Sequence, residues 1–196
     1  MTVIPTKYLV IPNFLSAEEN SKLINYAKKN EVYFIERVSS PDYPAQQGLG
    51  AIKGFENWKR LVVEKVRFIL PKVNQALSVE PFEVGWIECD ASAHADDGFL
   101  AIHNDTFPTS SRVLSFVYYY HSVPRAFTGG QLVIYDCEVD CFLKGSTADS
   151  CHLVEPVNNS IVFFPSHCDH AVLPVACDNT TFARFSINGW INQLIE

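Results

Sequence analysis

Arg112-Val113-Leu114-Ser115-Phe116-Val117-Tyr118-Tyr119-Tyr120 is a run of β-branched and aromatic residues, and Ile161-Val162-Phe163-Phe164-Pro165 is a shorter one. Both are compositions that favour a pleated, half-buried strand. Working outward, the pattern repeats over residues 82–89, 99–103, 131–135, 171–175 and 181–191, with Gly, Pro, Asn and Asp clusters between the runs. Seven or eight short strands punctuated in this way predict a sandwich or double-sheet jelly roll occupying residues 81–196.

The first 80 residues read differently. Tyr8-Leu9-Val10-Ile11 is a short β-type run closed by Pro12-Asn13. Ser16 followed three residues later by Glu19 has the form of a capping box, and Leu23, Ile24 and Ala27 supply the apolar stripe of the helix behind it. Residues 31–38 read as a strand and 39–54 as a long irregular connection, of a length often used for lids. Residues 56–77 form a second helical stretch in which Trp58, Leu61, Val62, Val66, Ile69 and Leu70 follow helical spacing. Pro71 is expected to kink or end it. The fold class expected is therefore mainly β with N-terminal helices (α+β), the helices packed on one outer face. With no repeat or composition break, residues 1–196 are expected to form one domain.

Bulk properties narrow the function classes. The chain of 196 residues is 47% hydrophobic and 19% charged, a globular composition. A formal charge of −7 without any Lys/Arg run argues against a nucleic-acid partner. No apolar run has bilayer length, so no membrane partner is expected. No cationic leader precedes an apolar stretch, so the protein is expected to be cytoplasmic and its six cysteines free thiols. Cys137, Cys141, Cys151 and His152 have no common zinc spacing and read as thiols on a loop near solvent. Gly129-Gly130 reads as a tight turn.

Chemistry concentrates on His103-Asn104-Asp105, with His170 and Arg184 downstream. On a strand, residues i and i+2 share a face, so His103 and Asp105 can reach one ion while Asn104 turns away. Two histidines and one carboxylate form a facial triad, which suits non-haem Fe(II) because the opposite face stays open. An isolated H-x-D is weak; His167 competes with His170 for the third place, and Arg184 alone reads as a surface strand residue. The Tyr118-Tyr119-Tyr120 alternation places Tyr119 on one face and its neighbours on the other. Core packing is the default for these tyrosines and for Trp86 and Trp190, and an ion pair is the default for Arg112.

The ordered series decides between these readings. Arg112 to Tyr120, Thr128-Gly129-Gly130-Gln131-Leu132, Val154-Glu155-Pro156, Ile161 to Ser166, Asp169-His170-Ala171-Val172 and Arg184-Phe185-Ser186-Ile187-Asn188-Gly189-Trp190 together resemble the 2-oxoglutarate/Fe(II)-dependent oxygenases. The resemblance is to the prolyl 4-hydroxylase-like branch. It implies a double-stranded β-helix, with His103, Asp105 and His170 as catalytic iron ligands. Arg184 would grip the distal carboxylate of 2-oxoglutarate, with Ser186 and Tyr119 as further donors to it. The resemblance implies Fe(II), 2-oxoglutarate and O2 as cofactor and cosubstrates, with ascorbate as a candidate reductant. It also implies C–H hydroxylation coupled to decarboxylation of 2-oxoglutarate to succinate and CO2. An intact Asp105 points to hydroxylation, since related halogenases replace the carboxylate with a small residue. Where the family often carries an aromatic residue before the triad, this chain has Ala95-Asp96-Asp97-Gly98. That departure favours a free amino acid or small natural-product intermediate as substrate. A prolyl residue in a protein or peptide is the alternative, and a non-catalytic jelly-roll binding module the further one. The oligomeric state is not read from the sequence.

Overall fold

The computed structural model describes residues 2–37, 46–107, 109–139, 145–177 and 184–195. The chain opens with β1 (Thr2–Ile4) and β2 (Leu9–Pro12), followed by α1 (Ala17–Lys29), β3 (Phe34–Glu36), β4 (Gln46–Gln47), β5 (Leu49–Ala51) and α2 (Glu56–Leu77). The β-rich part continues with β6 (Val84–His94), β7 (Phe99–His103), β8 (Arg112–Tyr120), β9 (Thr128–Gly129), β10 (Leu132–Val139) and β11 (Gly145–Val154). It closes with β12 (Ser160–Pro165), β13 (His170–Val172), β14 (Val175–Ala176) and β15 (Arg184–Gln193).

Two antiparallel sheets carry the site. Among the described residues the larger has seven strands, in the order β2-β12-β8-β15-β6-β5-β3. The smaller runs β1-β10-β13-β7-β4, with β11 on the other edge of β10. The mainly β jelly roll anticipated from the sequence is the fold observed.

The pleat of the larger sheet separates two environments. Phe116, Tyr118 and Tyr120 of β8, Ile161 and Phe163 of β12, and Phe185, Ile187 and Ile191 of β15 point to the helices. There they meet Leu23 and Ala27 of α1 and Val62, Val66, Leu70 and Val73 of α2, all buried. Intervening residues face the other sheet, where Tyr119, Val162 and Phe164 pack with Leu132, Ile134 and Val154. Ser16 caps α1 as its spacing predicted: its hydroxyl accepts from the Glu19 amide at 3.2 Å, and Glu19 accepts from the Ser16 amide at 2.8 Å.

Five expectations change. The strand read over 31–38 is β3 alone, preceded by a 3-10 turn at Glu31–Tyr33, with residue 38 outside the described residues. Pro71 lies inside a continuous α2, whose buried Val66, Leu70, Val73 and Leu77 flank it and offset the one missing backbone bond. The stretch thought to be a thiol loop contains β11, paired along β10, with Cys151 and His152 on it; Cys141 lies outside the described residues. The connection expected over 39–54 includes β4 and β5, its residues 39–45 lying outside the described ones. The run 171–175 breaks at Leu173-Pro174 into β13 and β14, because proline cannot donate to a ladder. Among the described residues Cys89, Cys137, Cys151, Cys168 and Cys177 are free thiols, and no helix is long and apolar enough to cross a membrane.

Gly189 tests the packing between sheet and helices. A Cβ there would lie 2.2 Å from the Phe116 ring and 2.6 Å from the Glu88 carbonyl. Gly189→Ala is expected to lower stability by about 1–3 kcal/mol, measured by urea denaturation.

Candidate active site

β7 and β13 are antiparallel neighbours with His103 opposite His170, so the ladder itself brings two distant histidines together. Asp105 lies two residues beyond His103. Its Oδ1 is 3.7 Å from His103 Nε2, and its Oδ2 is 3.5 Å from His170 Nε2. One ligand atom from each of the three residues lies within 4.8 Å of the others, close enough to share an ion. His103 Nδ1 is 2.9 Å from the Ala101 carbonyl, and His170 Nδ1 is 3.0 Å from the Cys168 carbonyl. A carbonyl only accepts, so each Nδ1 carries the proton and each Nε2 offers its lone pair. Burial lowers the pKa of His170, with Asp105 opposing that shift, so the neutral imidazole is favoured. His167, the competitor in sequence, is exposed and does not line the cavity.

The carboxylate is oriented from beneath. Ser115 Oγ donates to Asp105 Oδ2 at 2.6 Å and is itself 3.0 Å from Ser166 Oγ. The Asp105 amide donates to the Ser166 carbonyl at 2.9 Å, and Arg112 Nη1 donates to the Asp105 carbonyl at 3.2 Å. Arg112 also pairs with Glu88 at 2.6 Å and lies 4.3 Å over the Trp190 ring. The same-strand-face expectation for His103 and Asp105 changes here: β7 ends at His103, so Asp105 reaches the site from the bend that follows, and Asn104 between them donates to Asp169 Oδ1 at 3.1 Å. Asp169 accepts from Thr147 as well, so the residue before His170 ties the two ligand segments together.

Arg184 opens β15 opposite His94 and is only 1% exposed. Its Nε donates to the Gly130 carbonyl at 2.9 Å, and its Nη1 is 3.1 Å from His94 Nδ1. Burial first, and then the charges of Arg184 and Arg37, hold His94 well below its ordinary 6.5, so it accepts as a neutral ring. No carboxylate pairs with Arg184 among the described residues. The guanidinium lies 5.0 Å over the Tyr119 ring, and the hydroxyls of Tyr119 and Ser186 are buried without a hydrogen-bond partner there. Tyr120 also has an unpartnered hydroxyl, but on the helix side. What distinguishes the cavity side is the combination with an unpaired buried charge, a costly arrangement that an incoming carboxylate would satisfy. Gly129 and Gly130 take φ of 70° and 68°, the turn read from sequence; a Cβ at Gly130 would also lie 2.7 Å from Arg184 Cδ.

The triad and Arg184 face a common cavity of about 700 Å³. Residues 89–192 match the family described as the 2OG-Fe(II) oxygenase superfamily. The chain belongs to that superfamily. Its members use Fe(II) and 2-oxoglutarate. An uncharacterised PKHD-type hydroxylase of Synechocystis sp. is 37% identical over 97% of this chain, which spans 64% of that relative's length. A Pseudomonas putida prolyl-4-hydroxylase superimposes with a TM-score of 0.67 at 21% identity, covering 97% of this chain and 94% of that one. A Trichoplax adhaerens prolyl hydroxylase, in complex with a hypoxia-inducible-factor peptide fragment, gives 0.65 at 15% identity over 95% and 83%. The two structural likenesses show the shared fold.

Of the six residues singled out from the sequence, His103, Asp105, His170 and Arg184 line this cavity, whereas Tyr119 and Ser186 are fully buried and do not line it. Ser115, Ser166, His94 and Asp169 were not singled out for these contacts. Ser115 had a usable signal, because it shares the strand face of Tyr119; the others depend on cross-strand register. Trp190, read by default as core, lines the cavity, and Trp86 is 46% exposed.

Two outcomes follow from these contacts. Ser115→Ala should weaken Fe(II) affinity by about 10–100-fold, measured by anaerobic titration. His94 has a folded pKa below its unfolded value, so its contribution to stability is present above about 6.5 and lost as pH falls below it. The denaturation midpoint should therefore drop between pH 7 and 5, less steeply in His94→Gln.

Proposed function

We infer that this chain is an Fe(II)- and 2-oxoglutarate-dependent dioxygenase that hydroxylates an unactivated C–H bond. The observation that carries the reading is a metal-compatible triad and an unpaired, buried arginine facing one cavity. In this reading His103, Asp105 and His170 hold the iron, and Ser115 fixes the carboxylate against it. Arg184 binds the distal carboxylate of 2-oxoglutarate through its uncommitted guanidinium N–H groups, since Nε is already committed to Gly130. Tyr119 and Ser186 direct their free hydroxyls to the same carboxylate. When bound, iron, 2-oxoglutarate and O2 supply the oxidation, with succinate and CO2 as coproducts and ascorbate as a reductant for iron. Leu100, Val117, Leu132, Phe164 and Val172 line the cavity with apolar surface, which limits water around the reacting C–H bond.

The substrate in this reading is a free amino acid or small natural-product intermediate. A single cavity within the size range of small-molecule sites, with charged groups of both signs, supports it. The second reading, a prolyl residue of a peptide, draws on the prolyl hydroxylases that share the fold.

Succinate formation by Fe(II)-loaded protein in air, with separate pools of amino acids and prolyl peptides, tests both. Stimulation is expected from the amino-acid pool; stimulation by peptides alone selects the second reading. His103→Ala and Asp105→Ala should reduce succinate to the free-metal background. Arg184→Ala should raise the 2-oxoglutarate KM at least ~30-fold, the cost of truncating a buried charge pair. An unchanged KM would remove Arg184 from its role.

A further inference from the structure

Two ion pairs stand on the cavity face of β6, and they differ in how much bonding capacity they retain. Glu88 is committed: Arg112 contacts both its oxygens, at 2.6 and 3.4 Å, and Asn192 donates to it at 3.0 Å. Arg112 is spent as well, on Glu88, the Asp105 carbonyl and the Trp190 ring. Two residues along the same strand face, Asp90 meets Arg37 at 3.6 Å, longer than a hydrogen bond. Asp90 accepts no hydrogen bond among the described residues, and Arg37 makes one side-chain bond, from Nη2 to Ser92 at 3.2 Å. Their side chains are 50% and 34% exposed, so the pairing is screened and cheaply exchanged for another ligand.

This loose pair is placed by the fold. Arg37 reaches β6 by crossing β5 at Gly50, where a Cβ would lie 2.7 Å from its Nε. Asp90 pairs with Asn188, which pairs in turn with Val117. Val117 is two residues from Ser115, whose hydroxyl holds Asp105. Asp90 therefore stands two strand spacings, roughly 10 Å, from the strand beneath the triad. Arg37, Asp90, Asn188 and the triad all line the same cavity, with the Trp190 ring on the wall between.

We propose that Arg37 and Asp90 bind the carboxylate and ammonium of a free α-amino acid whose side chain runs past Trp190 toward the metal triad. The proposal rests on the oxygenase reading above and narrows its substrate to a zwitterion. A cation and an anion with unspent donors and acceptors suit the two charges of an amino-acid backbone. The separation of roughly 10 Å runs along the sheet, whereas the aspartate stands out from it, so the bound ligand has to span that distance. A side chain of three or more carbons is needed to carry a C–H bond at the γ position or beyond from the pair to the triad. A residue inside a peptide lacks both charges and would leave this pair unused.

The test uses the whole chain, anaerobic, with Fe(II) and 2-oxoglutarate, and reads two signals. One is the weak visible charge-transfer band expected of the iron–2-oxoglutarate complex; the other is saturation-transfer NMR of the added ligand. Each of the twenty protein amino acids is added singly, then the N-acetyl and methyl-ester forms of any that bind. The expected result is that one or more amino acids with a long side chain bind and perturb the band, while both blocked forms fail. Asp90→Asn and Arg37→Met should each weaken binding at least tenfold. Gly50→Ala, which displaces Arg37 without removing its charge, should also weaken it, with thermal melts reporting the fold of every variant. If the band forms but no free amino acid binds, or blocked forms bind equally well, the zwitterion assignment is overturned. Unchanged affinity in folded Asp90→Asn and Arg37→Met overturns it too. If no band forms in the native protein, the cosubstrate reading fails first, and this one with it.

Discussion

The two-residue pleat of β6, β8 and β15 is the constraint on which the rest of the molecule depends. These strands lie side by side, so one alternation governs three sequences at once. On one face it gathers Ala91, Phe116, Tyr118, Phe185 and Ile187 against the helices; on the other it gathers Asp90, Ser115, Arg184 and Asn188 around the cavity, with Tyr119 packed between the sheets. A slip of one residue in any of the three would exchange apolar for polar side chains on both faces. The register of the sheet is therefore enforced by the hydrophobic effect on the side away from the chemistry. Polar groups can be concentrated on the other side at the expense of the core without losing their alignment.

The smaller sheet contributes through pairing instead. His170 reaches His103 because β13 and β7 share a ladder, and the backbone carbonyls of Ala101 and Cys168 then select the tautomer of each ring. Backbone carbonyls are present whatever the side chains, so this orientation costs no dedicated residue. The carboxylate needs one. Ser115 supplies it from the larger sheet, and this side-chain bond joins the Arg112 and Ser166 contacts to the Asp105 backbone in linking the two halves of the site.

How much of this was legible in the sequence depends on the range over which each feature is encoded. The capping box of Ser16 and Glu19, the inward Tyr119 and the strand bearing His103 are set by neighbours a few residues away and were readable. Strand β11 was not, because Gly145-Ser146-Thr147 through Ser150 carries little apolar alternation; Ala148 and Val154 are its buried apolar positions among the described residues. Such a strand exists because β10 offers it a full-length edge. The passage of α2 through Pro71 likewise reflects burial on both sides of the proline outweighing a local penalty. Within the site, ligand types and their order were visible because metal chemistry restricts the residues that can serve. Ser166 and His94 were invisible because any residue type can occupy such positions until the register across strands is known.

Strands β4 and β5 are separated by Gly48 alone, yet the first belongs to the smaller sheet and the second to the larger. The corner lies against His94, whose Nε2 would be 3.2 Å from a Cβ at Gly48, and its carbonyl accepts from the Arg37 amide. The junction of the two sheets at this corner is thus held by main-chain bonds. Main-chain bonds do not depend on side-chain identity, so the cavity wall could be re-lined without moving this corner, and the two sheets would keep their offset whatever the cavity held.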